Sequence, residues 1–325
     1  MTKFFRRLGV VLSLALFVAG GLALWQRQEL YDWWRLRNYN PPRQIISLAN
    51  TDGMNSTARR IFYVNHPRLD QNIEVFHQRC PSSEKTIVLG CYHSPQAGIY
   101  IYDVTDNRLK GVEEITAAHE MLHAAYDRLG TKDKNYINGL LNEYAANLEN
   151  QRLISTIDAY RQTEPTEVVN EMHSIFGTEA ADLPVALENY YKRYFNDRAS
   201  LVNLAKSYEQ EFTQRTSQIE AYDKQLAELK QTISVAEQDL DSQQAEIQTE
   251  RTKLENLRAS GQVADYNAAV PGFNARINAY NQSIARLQRD IASYNQLVIA
   301  RNQVANELRE LTKAIDTRLT TQPVQ

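Results

Sequence analysis

The carboxyl-terminal third of the chain contains a heptad repeat of apolar residues, with polar interruptions at the companion positions Arg215, Gln243 and Glu250. One apolar side chain occupies every seventh position: Phe212, Ile219, Leu226, Ile233, Leu240, Ile247 and Leu254. This spacing keeps one stripe of a helix facing a partner helix, which is the condition for a coiled coil. The repeat therefore predicts a long helix that packs lengthwise against a second one.

A second apolar run, which begins at Ile277 and continues to Ile315, supplies a partner in the same chain. The two runs are separated by a predicted break at 259–272, which contains Ser260-Gly261 and Pro271-Gly272. Two long helices with a short connection most simply form an antiparallel hairpin. An extended helix that pairs with another chain is the alternative. Residues 199–318 are thus predicted to be a coiled-coil hairpin that binds a partner or self-associates, and 319–325 a flexible tail.

The amino terminus carries an uncharged segment of membrane-spanning length. Residues 8–25 contain no charged side chain, and they follow a basic tail at 1–7. The run is long enough to cross a bilayer as a helix, whereas a cleaved signal peptide has a shorter apolar core. We predict an uncleaved signal anchor, with a cleaved signal as the rival interpretation, then a linker at 26–44. Arginines flank both sides of the segment, so orientation rests on the basic tail, which favours a cytoplasmic amino terminus and an extracytoplasmic body.

The segment between the anchor and the coiled coil reads as an α+β domain dominated by helix. Two β-branched and aromatic runs, Thr86–Tyr92 and Gly98–Val104, predict a β-hairpin, and the pattern is helical from Val112 onward. Cys80 and Cys91 lie around a predicted turn, as a disulfide in an oxidising compartment or as two free thiols. The net charge of -3 and the pI near 6.1 give no basis for nucleic-acid binding.

The sharpest motif is His119-Glu120-Met-Leu-His123, the H-E-x-x-H pattern on a predicted helix. Histidines four residues apart project from one helix face, so both imidazoles can bind a single Zn²⁺. Zinc lowers the pKa of a bound water, and an adjacent carboxylate can take the proton and return it to a leaving amine. Glu120 is therefore the predicted general base and acid.

Thr116-Ala-Ala-His119-Glu120-Met-Leu-His123-Ala-Ala resembles the zincin metallopeptidase signature. The metzincin subclass would have Gly and His where this chain has Tyr126 and Leu129, so the resemblance is to gluzincins. It implies a zincin-like domain at 45–198, a zinc cofactor, and a third ligand that is a downstream glutamate on another helix. It also implies a sheet edge that holds an extended peptide, for which Gly98–Val104 is the candidate. TAAHEMLHAAYDRL, NEMHSIFGTE and LENYYKRYFNDR are similar to segments of poorly characterised bacterial membrane-anchored proteins.

Two glutamates compete for the position of third ligand in this resemblance. Glu171, in the polar cluster of NEMHSIFGTE, is the preferred ligand. Glu143 follows His123 at a thermolysin-like distance, but Asn147 replaces the aspartate of that pattern. Glu167 and His173 are further alternatives, and His173 could instead support the site from outside the ligand set or polarise a substrate carbonyl. The nearby tyrosines are candidate oxyanion donors or packing residues: Tyr190, Tyr191 and Tyr194.

The sequence thus predicts a single-pass protein of the cell membrane whose extracytoplasmic domain is a zinc metallopeptidase. Its substrate would be a peptide or protein, cleaved by a zinc-activated water with Glu120 as base. The alternative is a non-catalytic envelope scaffold in which the coiled coil binds a partner and the zinc site is structural or degenerate.

Overall fold

A computed structural model describes residues 26–81 and 87–318 of the chain. The predicted anchor at 8–25 and the tails at 1–7 and 319–325 lie outside the described residues. Within the described ranges, no helix has both the length and the apolar character needed to cross a membrane. Across the same described residues, the chain divides into two compact units, one comprising the residues up to Gln210 together with 314–318 and the other Glu211–Lys313.

Helices dominate both units, and one small sheet lies in the first, as the predicted helix-dominated α+β class requires. The strands are β1 (Arg68–Asp70), β2 (Gly90–His93) and β3 (Gly98–Tyr102). The helices of the first part of the chain are α1 (Arg27–Leu36), α2 (Arg43–Thr51), α3 (Ser56–Val64), α4 (Ile73–Arg79), α5 (Val112–Asp127) and α6 (Thr131–Ala146). They are followed by α7 (Gln151–Thr163), α8 (Val168–Thr178), α9 (Val185–Tyr191), α10 (Arg198–Ala259) and α11 (Val263–Ile315).

The sheet has the strand order β1-β3-β2. The predicted hairpin is present, because β2 pairs antiparallel with β3, from Gly90 opposite Ile101 to His93 opposite Gly98. A third strand that was not predicted, β1, pairs parallel with β3. As a result β3 is the central strand, so the expectation that Gly98–Val104 forms the sheet edge beside the active-site helix is wrong, and β2 occupies an edge.

Helix α5 is the buried centre of the first unit. It packs against α8 on one side and against α2, α3 and the sheet on others. Its uncharged positions are almost completely shielded from water: Ala117, Ala118, Met121, Leu122, Ala124 and Ala125. Alanine allows neighbouring backbones to come close, and burying a side chain such as Leu122 contributes about 1.5–3 kcal/mol. The motif helix therefore has a fixed position relative to the sheet and α8.

The segment predicted as a linker, 26–44, contains helix α1, which packs on α3. Pro41 and Pro42 follow α1, and α2 begins directly after Pro42. Proline at this point has no N–H that the new helix would have to satisfy. The chain is consequently helical both before and after the two prolines.

The second unit contains two long antiparallel helices. Three ion pairs join the two helices: Arg215 with Glu307, Asp223 with Arg301, and Glu250 with Arg276. Residues further along the first helix pair with residues earlier in the second, so the two helices run in opposite directions. The predicted break at 259–272 is wrong in its extent, because α10 ends at Ala259 and α11 begins at Val263.

The actual turn between the long helices is short and depends on a glycine. Gly261 has a φ of +73°, in the left-handed region that favours glycine after a helix end. Pro271 lies inside α11. Its ring removes one backbone hydrogen bond, which is why a break was predicted, yet the ion pairs of Arg276 with Glu246 and Glu250 bind α11 to α10 just beyond it.

Candidate metal centre

The two histidines of the motif face each other on α5. His119 and His123 are one helical turn apart, and their Nε2 atoms are 3.0 Å from each other. Their rings are nearly perpendicular, with centroids 4.7 Å apart. Both side chains are mostly shielded, at 17% and 10% exposure. A pair of imidazole nitrogens this close is suited to sharing one cation.

Glu171 brings a carboxylate to the same point from α8. Its Oε2 is 3.4 Å from His119 Nε2, and its Oε1 is 3.4 Å from His123 Nε2. One donor atom from each of the three residues lies within 4.8 Å of the other two. Two ligands bound to a tetrahedral zinc at its usual bond lengths are about 3.3 Å apart. The observed separations are therefore close to those of an assembled zinc site.

The electrostatics of Glu171 also fit a cation. Its Oε2 is buried without a hydrogen bond of normal geometry. Burial favours the neutral acid, but the charge of His123 and the contacts with His119 and Tyr160 outweigh it and hold the pKa of Glu171 below its usual value. A buried carboxylate that stays ionised needs positive charge beside it. A divalent ion bound by the three residues would supply that charge, so the donor set suits a metal ion.

A small residue allows α8 to approach α5 closely enough for this grouping. A Cβ on Gly177 would stand 2.4 Å from Leu122 Cδ1 and 2.7 Å from Tyr191 Cε1. Leu122 directly precedes His123, and Gly177 lies on the same helix as Glu171. Gly177 is thus a positioning residue that sequence reasoning missed. A glycine inside an otherwise helical segment was the available signal.

Glu120 is buried beside the edge strand. Its residue is 6% exposed, and it is not a member of the three-residue group. A Cβ on Gly90, the first residue of β2, would be 3.0 Å from Glu120 Oε1 and 2.5 Å from Thr116 Cγ2. The absence of a side chain at Gly90 therefore makes room for the carboxylate. No local sequence signal identified Gly90, because the contact joins segments distant in the chain.

His173 is fully buried behind the group and is not part of it. Its Nε2 lies 2.8 Å from Tyr190 Oη, and its backbone carbonyl accepts a hydrogen bond of 2.7 Å from Tyr191. Burial first, then the charges of His123 and His119, lower the pKa of His173 to about 3. The imidazole is buried and its Nε2 is paired with Tyr190, which favours the predicted supporting position outside the ligand set over contact with a substrate.

The remaining candidates lie elsewhere on the molecule. Glu143 is exposed on α6, and Glu167 is exposed just before α8. Neither belongs to the three-residue group. The tyrosines proposed as oxyanion donors are buried packing residues, at 6%, 0% and 3% exposure for Tyr190, Tyr191 and Tyr194.

Cys80 and Cys91 form a disulfide that joins the end of α4 to β2. The bridge therefore restrains the strand whose first residue, Gly90, contacts Glu120. His93 Nε2 lies 3.4 Å from Cys91 Sγ and 2.5 Å from the carbonyl oxygen of Arg79. The side chains of Cys80, Cys91 and His93 are close enough together to bind a metal ion. The two sulfurs are held in a disulfide, however, so they cannot act as thiolate ligands.

Comparisons of the chain with protein-family models, with curated proteins and with solved structures found no match in any of the three.

Proposed function

We propose that this protein is a membrane-anchored, zinc-dependent metallopeptidase that cleaves peptide bonds outside the cytoplasm. One observation carries the proposal: donor atoms of His119, His123 and Glu171 lie within 4.8 Å of one another. Two imidazoles and one carboxylate form the ligand set of several catalytic zinc sites, which keep a fourth position for water. Glu120 directly follows His119 on α5, and we assign its carboxylate to the water in that position.

In this proposal, the metal and Glu120 have separate roles in hydrolysis. Bound zinc would lower the pKa of a water ligand towards 7 and polarise the substrate carbonyl. Glu120 accepts the proton of the attacking water and donates it to the leaving amine. Because Glu120 is only 6% exposed, bulk water competes little for its carboxylate.

The edge strand supports a peptide as substrate. Among the described residues, no strand pairs with the outer edge of β2. The carbonyl of Leu89 accepts a hydrogen bond of 2.8 Å from Tyr102 N–H towards β3. Backbone groups alternate along a strand, so those of Gly90 and Tyr92 face the outer edge. An extended peptide that added there would pass the Glu120 carboxylate.

Two features support a location at the outer face of the cell membrane. The disulfide between Cys80 and Cys91 is typical of an oxidising compartment. The uncharged run at 8–25 has the length of a membrane anchor. Together they favour an anchored protein whose body is extracytoplasmic.

The alternative function, a scaffold with a structural metal site, is favoured by the hairpin of α10 and α11. Helices of 62 and 53 residues offer a long surface for a partner. A structural zinc, however, normally has four protein ligands, whereas the group found in the described ranges has three. Peptide hydrolysis is therefore the better proposal.

The experiment compares the detergent-solubilised full chain with two single variants, Glu120→Gln and Glu143→Gln. Metal content is measured by mass spectrometry and cleavage with a mixed peptide library. We expect stoichiometric zinc in all three proteins. Cleavage should fall about 10²–10⁴-fold in Glu120→Gln only, because general acid–base catalysis contributes that much. Zinc with equal cleavage by all three, or with none, would favour the scaffold, and absence of bound metal would reject the zinc-dependent peptidase and leave only a scaffold with a degenerate site.

A further inference from the structure

Helix α1 is held to the protein by its polar face. Asp32, which is 2% exposed, accepts a hydrogen bond of 2.6 Å from Arg60 Nε and two of 3.0 Å from the terminal nitrogens of Arg128. Gln28 donates to Asp32 and to Gln96, each at 2.8 Å. These inward residues lie four apart in sequence and therefore share one face of the helix.

The apolar face of α1 points away from the protein. Leu30, Trp33 and Trp34 are 49%, 65% and 52% exposed. They lie at positions i, i+3 and i+4, and Arg37 follows at i+7 with its guanidinium 5.9 Å from the centre of the Trp33 ring. One side of α1 and its C-cap thus presents two tryptophans, a leucine and an arginine to the surroundings.

This orientation of α1, with its apolar face outward, is the reverse of that expected for a helix on a water-exposed surface. A helix on the surface of a soluble protein buries its apolar stripe and leaves its polar face outside. In α1 the buried carboxylate of Asp32 fixes the opposite arrangement through Arg60 and Arg128. An apolar patch that is held outward by specific buried contacts marks an interaction surface.

The residue types on the outer face of α1 and the position of α1 in the chain indicate what this face contacts. The uncharged run at 8–25 ends directly before α1, so a chain that leaves a bilayer at Trp25 enters this helix at once. Tryptophan is enriched at the membrane–water interface, and arginine is attracted to anionic headgroups. Exposed Arg27 and Arg37 lie near the two ends of the helix. We infer that the outer face of α1 lies in the headgroup layer of an anionic phospholipid bilayer.

This inference rests on the membrane anchor of the proposed function, but not on zinc or on peptidase activity. Leu30, Trp33 and Trp34 would enter the interface, as the apolar side of a helix that lies flat on a membrane does. Arg27 and Arg37 would meet lipid phosphates. The hydrogen bonds of Asp32 would stay intact, because they are on the protein side of the helix.

The test uses the tryptophans as reporters, since the chain has only three. In the full chain with Trp25→Phe, all tryptophan emission comes from Trp33 and Trp34. The protein is reconstituted into vesicles of phosphatidylcholine and phosphatidylglycerol, with or without brominated acyl chains near the headgroup. We expect blue-shifted emission, loss of most of the fluorescence with brominated lipid, and little quenching by aqueous acrylamide. The matched control places one tryptophan at Val185, a 76% exposed apolar position of α9, after all three native tryptophans are replaced by phenylalanine.

Three results would overturn the inference. Red emission with full acrylamide quenching and no effect of brominated lipid would put α1 in water. Protection from both quenchers would show that protein covers the helix, for example a second copy of this chain. Equal lipid quenching of Val185→Trp would show that lipid contact is not specific to α1.

Discussion

Gly90 of β2 and Glu120 of α5 are in such close contact that a methyl group on Gly90 would stand 3.0 Å from the carboxylate oxygen Oε1. The two residues are far apart in sequence, and the pairing of β2 with β3 brings them together. Glu120 therefore owes its position to the strand as well as to its own helix.

Replacing Gly90 with alanine should lower turnover while zinc remains bound. The new Cβ would clash with Thr116 and displace Glu120, neither of which belongs to the three-residue group. We expect kcat to fall about 10–100-fold, a part of what general acid–base catalysis contributes. Gly139→Ala on α6 is the matched control, because a Cβ there meets nothing within 4 Å. Unchanged kcat in Gly90→Ala would contradict the role assigned to this contact.

Glu171→Gln should remove most of the zinc affinity. Loss of an outer hydrogen-bond partner of a metal ligand costs about 10–100-fold in affinity, and loss of a charged ligand should exceed that. Competition with a chromogenic chelator measures the change. Glu143→Gln, which neutralises an exposed carboxylate of α6, should leave the affinity unchanged. The opposite ranking would make Glu143 the ligand.

Gly177→Ala should destabilise the protein and weaken zinc binding together. The added methyl group meets Leu122 and Tyr191 at distances that force α8 away from α5. Overpacking of this kind costs about 1–3 kcal/mol in the free energy of unfolding. Urea unfolding and chelator competition provide the two measurements. If stability falls while zinc affinity is fully retained, Gly177 has no part in placing Glu171.

Glu113 should make stability depend on pH. Burial first, then a hydrogen bond and charge repulsion from Asp103, raise the pKa of Glu113 to about 8 from the ordinary 4.5. The folded protein holds this proton more tightly than the unfolded chain, so the contribution is complete below pH 4.5. It declines as pH rises from there through 8. Urea unfolding across this range should show a decline that Glu113→Gln reduces; identical slopes would refute the assignment.

Asp32→Ala should have a large effect on stability. It leaves the guanidinium of Arg128, whose side chain is 13% exposed, without its carboxylate, and breaking a buried pair costs about 3–5 kcal/mol. Asp158→Ala is the control, because its pair with Arg161 is about half exposed on both sides. Exposed pairs contribute about 0–1 kcal/mol, so thermal unfolding should barely change. Similar small changes in both variants would show that Asp32 does not fasten α1.

Features that depend on local spacing were predictable from the sequence. Helical periodicity puts His119 and His123 on one face, and the heptads from Phe212 to Leu254 predict the first long helix. The short separation of Cys80 and Cys91 around a turn made a disulfide a candidate, and the structure has it.

Features that depend on distant segments were less accessible. Strand β1 has only three residues, too few for a periodic pattern, and its partner β3 lies about 30 residues along the chain. Gly90 gave no signal, since only the folded chain brings it to Glu120. Pro271 predicted a helix break that contacts with α10 override, because tertiary packing can outweigh a local propensity.

The ion pair between Asp32 and Arg128 fixes the distance between α1 and the end of α5. Arg128 directly follows α5, the helix that carries His119, and lies about 14 Å beyond that histidine along the helix axis. With α1 on lipid as inferred, the proposed metal centre would stay at a set, short height above the bilayer. The distance of a peptide bond from the membrane would then decide whether it is cleaved. Loops and juxtamembrane segments of membrane proteins would reach the site, and proteins that never approach the bilayer would not.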